Sequence, residues 1–301
     1  MMLLSGAPKE VAGSVAELTQ VGSHFRFGEN WAEFAQGIDP ARIEQACGEM
    51  ARLLGREDIS GLRFLDIGSG SGLHALAALK LGAAQVIATD IDPDSVETTR
   101  KLLERFAVDG RWRAERRSVL EIRPEDYGRF DIVYSWGVLH HTGAMYDAIR
   151  AAAALVGESG RFCTALYGRT ALCNFWRWEK RLYAKSPKVA QRVVQGLYIG
   201  AYWCVQSLRG LVRCRPFSLR QHARNYVKHR GMNFYTDVHD WLGGYPYESA
   251  TPDEVRRFMG KLGFVEERSF IQPGARHGVF GAGCDEYLFR RAASQSGFHS
   301  S

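Results

Sequence analysis

Cysteine is sparse and scattered: six residues in 301, at positions 47, 163, 173, 204, 214 and 284. None forms a CxxC pair or has a histidine at ligand spacing, so a structural zinc site has no support and reduced, mostly buried thiols are expected. The opening MMLLSGAPKEVAG lacks a basic n-region and has only a few apolar residues before Lys9 and Glu10. It does not read as a secretory signal, and a cytoplasmic location is the expectation. No internal repeat and no low-complexity stretch is present. Acidic residues are nearly missing from one long stretch. From Arg169 to Arg230 there are 14 Lys and Arg but a single acid, Glu179, a balance of +13, whereas the rest of the chain has 25 basic and 32 acidic residues, or −7. The net charge of +6 is an average over two unlike parts.

What is there is enough to fold. A composition 46% hydrophobic and 24% charged supplies the burial that offsets chain entropy and excludes disorder as the dominant state. The length suits one large domain, or one domain with a substantial insertion. Between residues 62 and 168, short β-branched runs alternate with amphipathic stretches, as a doubly wound α/β sheet requires. LRFLDI (62–67), AQVIATD (84–90), WRAERRSVL (112–120), RFDIVYSWG (129–137) and GRFCTALYG (160–168) read as five strands with helices between them. Beyond 168 the pattern becomes helical, basic and aromatic up to about 248. Thr251 with Glu254 then forms a capping box before another amphipathic helix. FVEERSFIQ and CDEYLFRRA, joined by the Gly-rich PGARHGVFGAG, read as a sixth and seventh strand of the same sheet.

The strongest chemical signal is LDIGSGSG, Leu65 to Gly72, directly after a strand and opening a helix. Gly68, Gly70 and Gly72 permit a tight turn and close backbone approach to a ligand, with Ser69 within the turn. A dinucleotide fold uses GxGxxG here; the GxGxG spacing, with Asp66 two residues ahead, suits a cationic amine or sulfonium and would repel a pyrophosphate. Asp90, 20 residues past Gly70, is placed to accept hydrogen bonds from both ribose hydroxyls of an adenosine. Ile91 would lie on the adenine face, with the backbone near Ser118, Val119 and Leu120 at its edge. Ser135 and Trp136, ending strand four, would line the same site, Trp136 being equally readable as core. Asp92, before Pro93, reads as a helix N-cap.

Together these residues resemble the class I S-adenosylmethionine-dependent methyltransferases. The resemblance rests on Asp66 to Gly72, on Asp90 in TDIDP and on FDIVYSWGVLHHT (130–142), and it covers about residues 62–168. It implies a Rossmann-like, doubly wound, mostly parallel seven-stranded α/β sheet with the last strand antiparallel and a helical insertion after strand five. It also implies S-adenosyl-L-methionine over the glycine loop, S-adenosyl-L-homocysteine as product, and no metal. The VLHH form is similar to the ubiquinone, menaquinone and natural-product small-molecule branch. Where the family usually has an Asp at the end of strand three, Ser118 stands here.

On this reading the chain divides into an N-terminal helical lid (1–61), a cofactor-binding core (62–168), a basic aromatic insertion (169–248), a last helix and strand pair (249–292) and a tail (293–301). Methyl transfer needs acceptor and methyl held in line, and a base for the acceptor's proton. His140 and His141 lie just past strand four, and the resemblance to LEH and LHH motifs favours His140 as that base. The expected reaction is O-methylation of a small-molecule acceptor, with N- or C-methylation of a natural product or a quinone-like lipid as the alternative. A non-catalytic or RNA-modifying protein is the alternative of another class, without an NPPY-type motif to support it. His24, Phe25, Asn30 and Trp31 are lid candidates. Trp31, Tyr167, Tyr235, His239, Trp241 and Tyr245 are the acceptor-site candidates.

The aromatics of the basic insertion lie in apolar contexts at helical spacing, which favours burial over a nucleic-acid surface. VVQGLYIGAYWCVQSL (193–208) has no charge but falls short of the ~20 apolar residues of a membrane span. It suits a buried helix, a homodimer contact through the insertion, or a peripheral helix on anionic lipid.

Overall fold

The structure is a computed structural model that describes residue 25 and residues 27–107, 111–214, 217–230, 233–272 and 283–292, with backbone only for 227–230. Seven strands form one sheet: β1 (Arg63–Ile67), β2 (Gln85–Asp90), β3 (Trp112–Arg116), β4 (Phe130–Trp136), β5 (Val156–Tyr167), β6 (Phe264–Phe270) and β7 (Cys284–Arg291). Their order is β3-β2-β1-β4-β5-β7-β6. β1 to β5 pair in parallel, and β7 runs antiparallel to both β5 and β6. The expected mostly parallel seven-stranded sheet is the one adopted.

Central strands of a parallel sheet are covered on both faces and therefore read as continuous apolar runs. Their alternate residues go to opposite sides. Phe64, Val86, Ala88, Ile132 and Tyr134 pack with α2 (Pro40–Leu54), α3 (Leu73–Lys80) and α4 (Pro93–Phe106). Leu65, Ile67, Ile87 and Val133 pack with α6 (Met145–Ala154) and α11 (Pro252–Lys261). Caps fix where these helices begin: Asp39 accepts from Arg42 N–H ahead of Pro40, and Thr251 and Glu254 form the anticipated capping box. Two more helices complete the core region, α1 (Gly28–Gln36) and the single-turn α5 (Pro124–Tyr127).

Two expected strand boundaries differ. Strand three stops at Arg116, not 120, because Ser118 caps a 3-10 turn over Val119–Glu121, its hydroxyl accepting from Leu120 N–H while Glu121 accepts from Ser118 N–H. Strand five begins at Val156 rather than 160, since Val156 already pairs with Phe130 before a register shift. Most of the Gly-rich loop between β6 and β7, the residues before 25, His24 among them, and the tail from 293 lie outside the described residues.

Between β5 and α11 the chain forms four helices, α7 (Cys173–Lys185), α8 (Lys188–Val212), α9 (Leu219–Arg230) and α10 (Phe234–Gly243). They share a small core of Tyr183, Phe234, Val238 and Leu242, flanked by Tyr198, Tyr202 and Tyr226. The Gly168–Ala250 bridge closes the excursion at its base. Strand order reverses between β1 and β4, so the carboxyl ends of β1, β2, β4 and β5 open a crevice on the side where α/β sheets bind ligands.

Candidate active site

At the end of β1 the chain must turn sharply into α3, and three glycines with positive φ make the turn: Gly68 (+75°), Gly70 (+53°) and Gly72 (+82°). A Cβ on Gly68 would stand 2.5 Å from the Val138 side chain, and one on Gly72 would stand 2.8 Å from Thr99 Cα. At Gly70 it would meet the Trp31 ring at 2.9 Å. The first two contacts are packing; the third shows the N-terminal segment lying directly over the loop. Gly68 and Ser69 donate their N–H groups to the Thr89 carbonyl at 2.7 and 3.0 Å, and Gly70 N–H donates to Asp90 Oδ2 at 3.0 Å.

Two carboxyls lie under this loop, and both resist ionisation. Asp66 is buried, and its Oδ2 has no hydrogen-bond partner among the described residues. Burial, with the charge of Asp90 adding to it, pushes Asp66 up to about 7. Burial also pushes Asp90 up to about 6, against the N–H groups of Asp92 and Gly70 that favour its charged form. An orphaned buried carboxyl oxygen beside a second acid is a place for a cation, as the ammonium of an amino-acid-bearing nucleoside would supply.

One cavity of about 1430 Å³ runs from this loop to the insertion. That exceeds the ~300–1,000 Å³ of a pocket for one drug-sized ligand and leaves room for two molecules side by side. At the sheet end, its wall includes Gly68, Ser69, Gly70, Asp90, Ile91, Ser118, Val119 and Trp136. Asp66 and Gly72 lie beneath the wall, Leu120 packs into the core, and the Ser135 hydroxyl donates to the Ile67 carbonyl at 3.0 Å. Trp136 is not core: it is 39% exposed and donates from Nε1 to Glu286 at 2.8 Å. His74, in the first turn of α3, also faces the cavity, and burial lowers it to about 4, so it is neutral near pH 7. Its place directly after the glycine loop was the signal for it.

The two adjacent histidines sit on a 3-10 turn (Leu139–His141). His140 is fully buried, its ring 3.9 Å from that of Tyr167. The Tyr167 N–H donates to His140 Nδ1 at 3.4 Å, so the lone pair of the neutral ring is already engaged. Burial first, then His141, holds His140 well below the usual imidazole range. His141 lines the cavity, and its Nδ1 lies 2.7 Å from the Pro246 carbonyl. A carbonyl only accepts, so the His141 proton is on Nδ1 and Nε2 is the basic nitrogen. His140 keeps its Nε2 buried and without a hydrogen-bond partner among the described residues and does not line the cavity, whereas the His141 ring does.

Of the expected acceptor residues, Trp31, Tyr167 and Trp241 line the cavity and Tyr235, His239 and Tyr245 do not. Tyr235 is 44% exposed on the outer side of α10, and His239 Nδ1 pairs with the Tyr183 hydroxyl at 2.6 Å. Tyr245 contributes its carbonyl, accepting from Phe25 N–H at 2.9 Å. The wall is instead completed by Tyr198, Tyr202, Val205, Gln206 and Arg209 of α8, Tyr226 of α9, and Phe234, Asp237 and Asp240 of α10. Burial pushes Asp240 up to about 8, opposed by the hydrogen bond it accepts from Asn30.

The segment leading into α1 is tied at both ends of this cavity. Gly28 N–H donates to Asp92 Oδ2 at 3.1 Å, while Asn30 reaches Asp240 and Phe25 reaches Tyr245. Asp92 also caps α4, as expected, through Asp94 N–H at 3.0 Å. Among the described residues, no group of three or more His, Cys, Asp or Glu is gathered as a metal ion would need.

Comparison with known proteins adds a family to this geometry. A methyltransferase domain model matches residues 64–160. The ribosomal protein L11 methyltransferase of Geobacter sulfurreducens is 40% identical over 93 residues, 26% of this chain and 30% of that protein. The enzyme of the same name from Deinococcus radiodurans is 55% identical over 47 residues, 16% of this chain and 17% of its own length. The chain thus spans less than a third of these curated relatives. Among solved structures, the magnesium protoporphyrin IX methyltransferase of Synechocystis, with S-adenosylhomocysteine bound, gives a TM-score of 0.49 at 15% identity over 83% of each chain. The 1,6-didemethyltoxoflavin N1-methyltransferase of Burkholderia thailandensis gives 0.45 at 18% identity, covering 84% of this chain and 80% of that one. Residues 64–160, with their strand order and glycine loop, are a methyltransferase domain of the class I S-adenosylmethionine-dependent kind.

Proposed function

We propose that the chain methylates a small-molecule acceptor, at oxygen, using S-adenosyl-L-methionine, with His141 as the general base. The observation that carries this reading is the single cavity in which the glycine loop, His141 and the aromatic wall of the insertion meet. The residues fit the cofactor: Asp90 for the ribose hydroxyls, Ile91 and Val119 for the adenine, the backbone of Gly68 to Gly70 for close approach, and the orphaned Asp66 for the amine. When bound, that cofactor supplies a methyl group activated on a sulfonium.

The chain's own contribution is to bind, orient and take up a proton. Trp31, Tyr167 and Trp241 form flat apolar walls that would hold an acceptor beside the loop and keep water out. His141 Nε2 would accept the acceptor's hydroxyl proton, and the Pro246 carbonyl keeps the ring in the tautomer that allows it. The N-terminal segment, held by Asp92 and Asp240, acts as the lid. The likeness to the L11 enzyme covers 93 residues, 26% of this chain and 30% of that protein, so the ribosomal-protein acceptor in its name does not come with it.

The test is His141→Gln beside His140→Gln. With an acceptor in hand, His141→Gln is expected to lower kcat on the order of 10²–10⁴-fold with S-adenosylhomocysteine affinity unchanged. Equal turnover in His141→Gln and wild type removes His141 as base.

A further inference from the structure

The 25-residue helix α8 has no fully buried residue: only its inner side, through Tyr198, Ile199 and Tyr202, packs against the small core of the insertion. Its inner side faces the cavity through Tyr198, Tyr202 and Val205. Its outer side carries Val189, Val193, Leu197, Leu208 and Leu211, at 72, 57, 70, 65 and 76% exposure. Steps of three and four residues, carried across the gap by the small Gly200 and Cys204, put them in one stripe along the helix. A surface helix ordinarily turns charged residues to solvent. Here the cations stand at the margins instead, Lys185, Lys188 and Arg192 at one end and Arg213 at the other. The neighbouring α7 adds Phe175 and Trp178, 50% and 60% exposed.

We propose that this outer face of α8 docks in the plane of a bilayer that contains anionic lipid. An uncovered apolar stripe with cations at its margins is the pattern of an interfacial helix: the stripe enters the acyl boundary and the long basic side chains reach back to the headgroups. Charge complementarity selects the anionic partner, since the segment from Arg169 to Arg230 carries +13. A second copy fits poorly, because it would bring two such basic insertions together. Nucleic acid would need cations along the stripe to meet its phosphates, where Val and Leu stand. Among the described residues no helix is long and apolar enough to cross a membrane, so contact is in the plane of the surface. The cavity's aromatic wall would then lie one helix away from the lipid. The docking face stands on its own geometry and does not require the proposed activity.

Flotation of the full chain with vesicles tests this. The vesicles are equal parts phosphatidylglycerol and phosphatidylcholine, or phosphatidylcholine alone. The variants are Leu197→Gln/Leu208→Gln/Leu211→Gln and, separately, Lys188→Glu/Arg192→Glu, each checked for wild-type helicity and melting temperature. Wild type is expected to float with the anionic vesicles, and binding to fall on the order of tenfold or more on neutral vesicles, in either variant and at high salt. Failure of the wild type to float, or undiminished flotation of the leucine variant, overturns the proposal. So does a lipid-free dimer that the leucine substitutions dissociate, which assigns the face to a second copy. Displacement from vesicles by single-stranded RNA that binds through the same leucines assigns it to nucleic acid and overturns the proposal equally. If the leucine variant does not fold, the charge variant and the neutral vesicles still decide.

Discussion

Asp66 and Asp90 give the glycine loop a pH dependence whose sign is fixed. Both acids are raised by burial, to about 7 and about 6, so the folded protein keeps protons that the unfolded chain has released. Their contribution to stability without ligand therefore falls as pH rises from about 4 toward 7. A ligand with a cationic amine gains its partner over the same range. Calorimetric affinity for S-adenosylhomocysteine is expected to rise with pH through about 6 to 7 and to flatten in Asp66→Asn. A flat wild-type profile would contradict the pairing of amine with Asp66. Gly72 makes a different prediction. Its φ is +82° and its missing Cβ would stand 2.8 Å from Thr99 Cα, a backbone-borne atom with little room to move. Gly72→Ala should cost ~2–4 kcal/mol in denaturant unfolding, combining left-handed strain with overpacking. A loss below ~1 kcal/mol would mean the loop relaxes.

At the scale of elements, Asp92 does two tasks with one carboxylate. It caps α4 and it anchors α1 through Gly28 N–H. Asp92→Ala should lose ~1–2 kcal/mol of stability and also speed S-adenosylhomocysteine dissociation in stopped flow, because the lid loses its sheet-side tether. Asp92→Asn, which keeps the acceptor oxygen, should retain most of both. A slowed or unchanged off-rate in Asp92→Ala would sever the lid from this anchor. The cap itself was legible in the sequence, since Asp before Pro at a helix start is a local signal. The lid contact was not, because Gly28 and Asp92 are 64 residues apart. The same limit explains the histidines. Adjacent residues on a 3-10 turn point in different directions, and the carbonyl that meets the His141 ring belongs to Pro246, 105 positions away. It explains the acceptor wall too. The aromatic richness of 169–248 was visible, but Tyr235 faces out, while Tyr198, Tyr202 and Tyr226 face in, and only the packing of four helices determines that.

For the whole molecule, the sheet was readable because each part of it is local: buried apolar runs for β1, β2 and β4, a capping box for α11, glycines and acids at fixed spacing for the loop. The insertion was readable only as composition. The structure gives that composition an inside and an outside, with α8 presenting Tyr198 and Tyr202 to the cavity and a stripe of Val and Leu to the outside. The core supplies the ligand crevice, and the insertion supplies the wall that makes it a cavity for two molecules. This crevice is expected to hold an adenosine-bearing amino acid across Asp90 and the glycine loop. Titration calorimetry of the full chain with S-adenosylhomocysteine, in wild type and Asp90→Ala, tests it most directly. One site of micromolar affinity, roughly −8 kcal/mol, is expected, weakened on the order of 100-fold or more by Asp90→Ala. Absence of binding in the wild type, or the same affinity in Asp90→Ala, would contradict it.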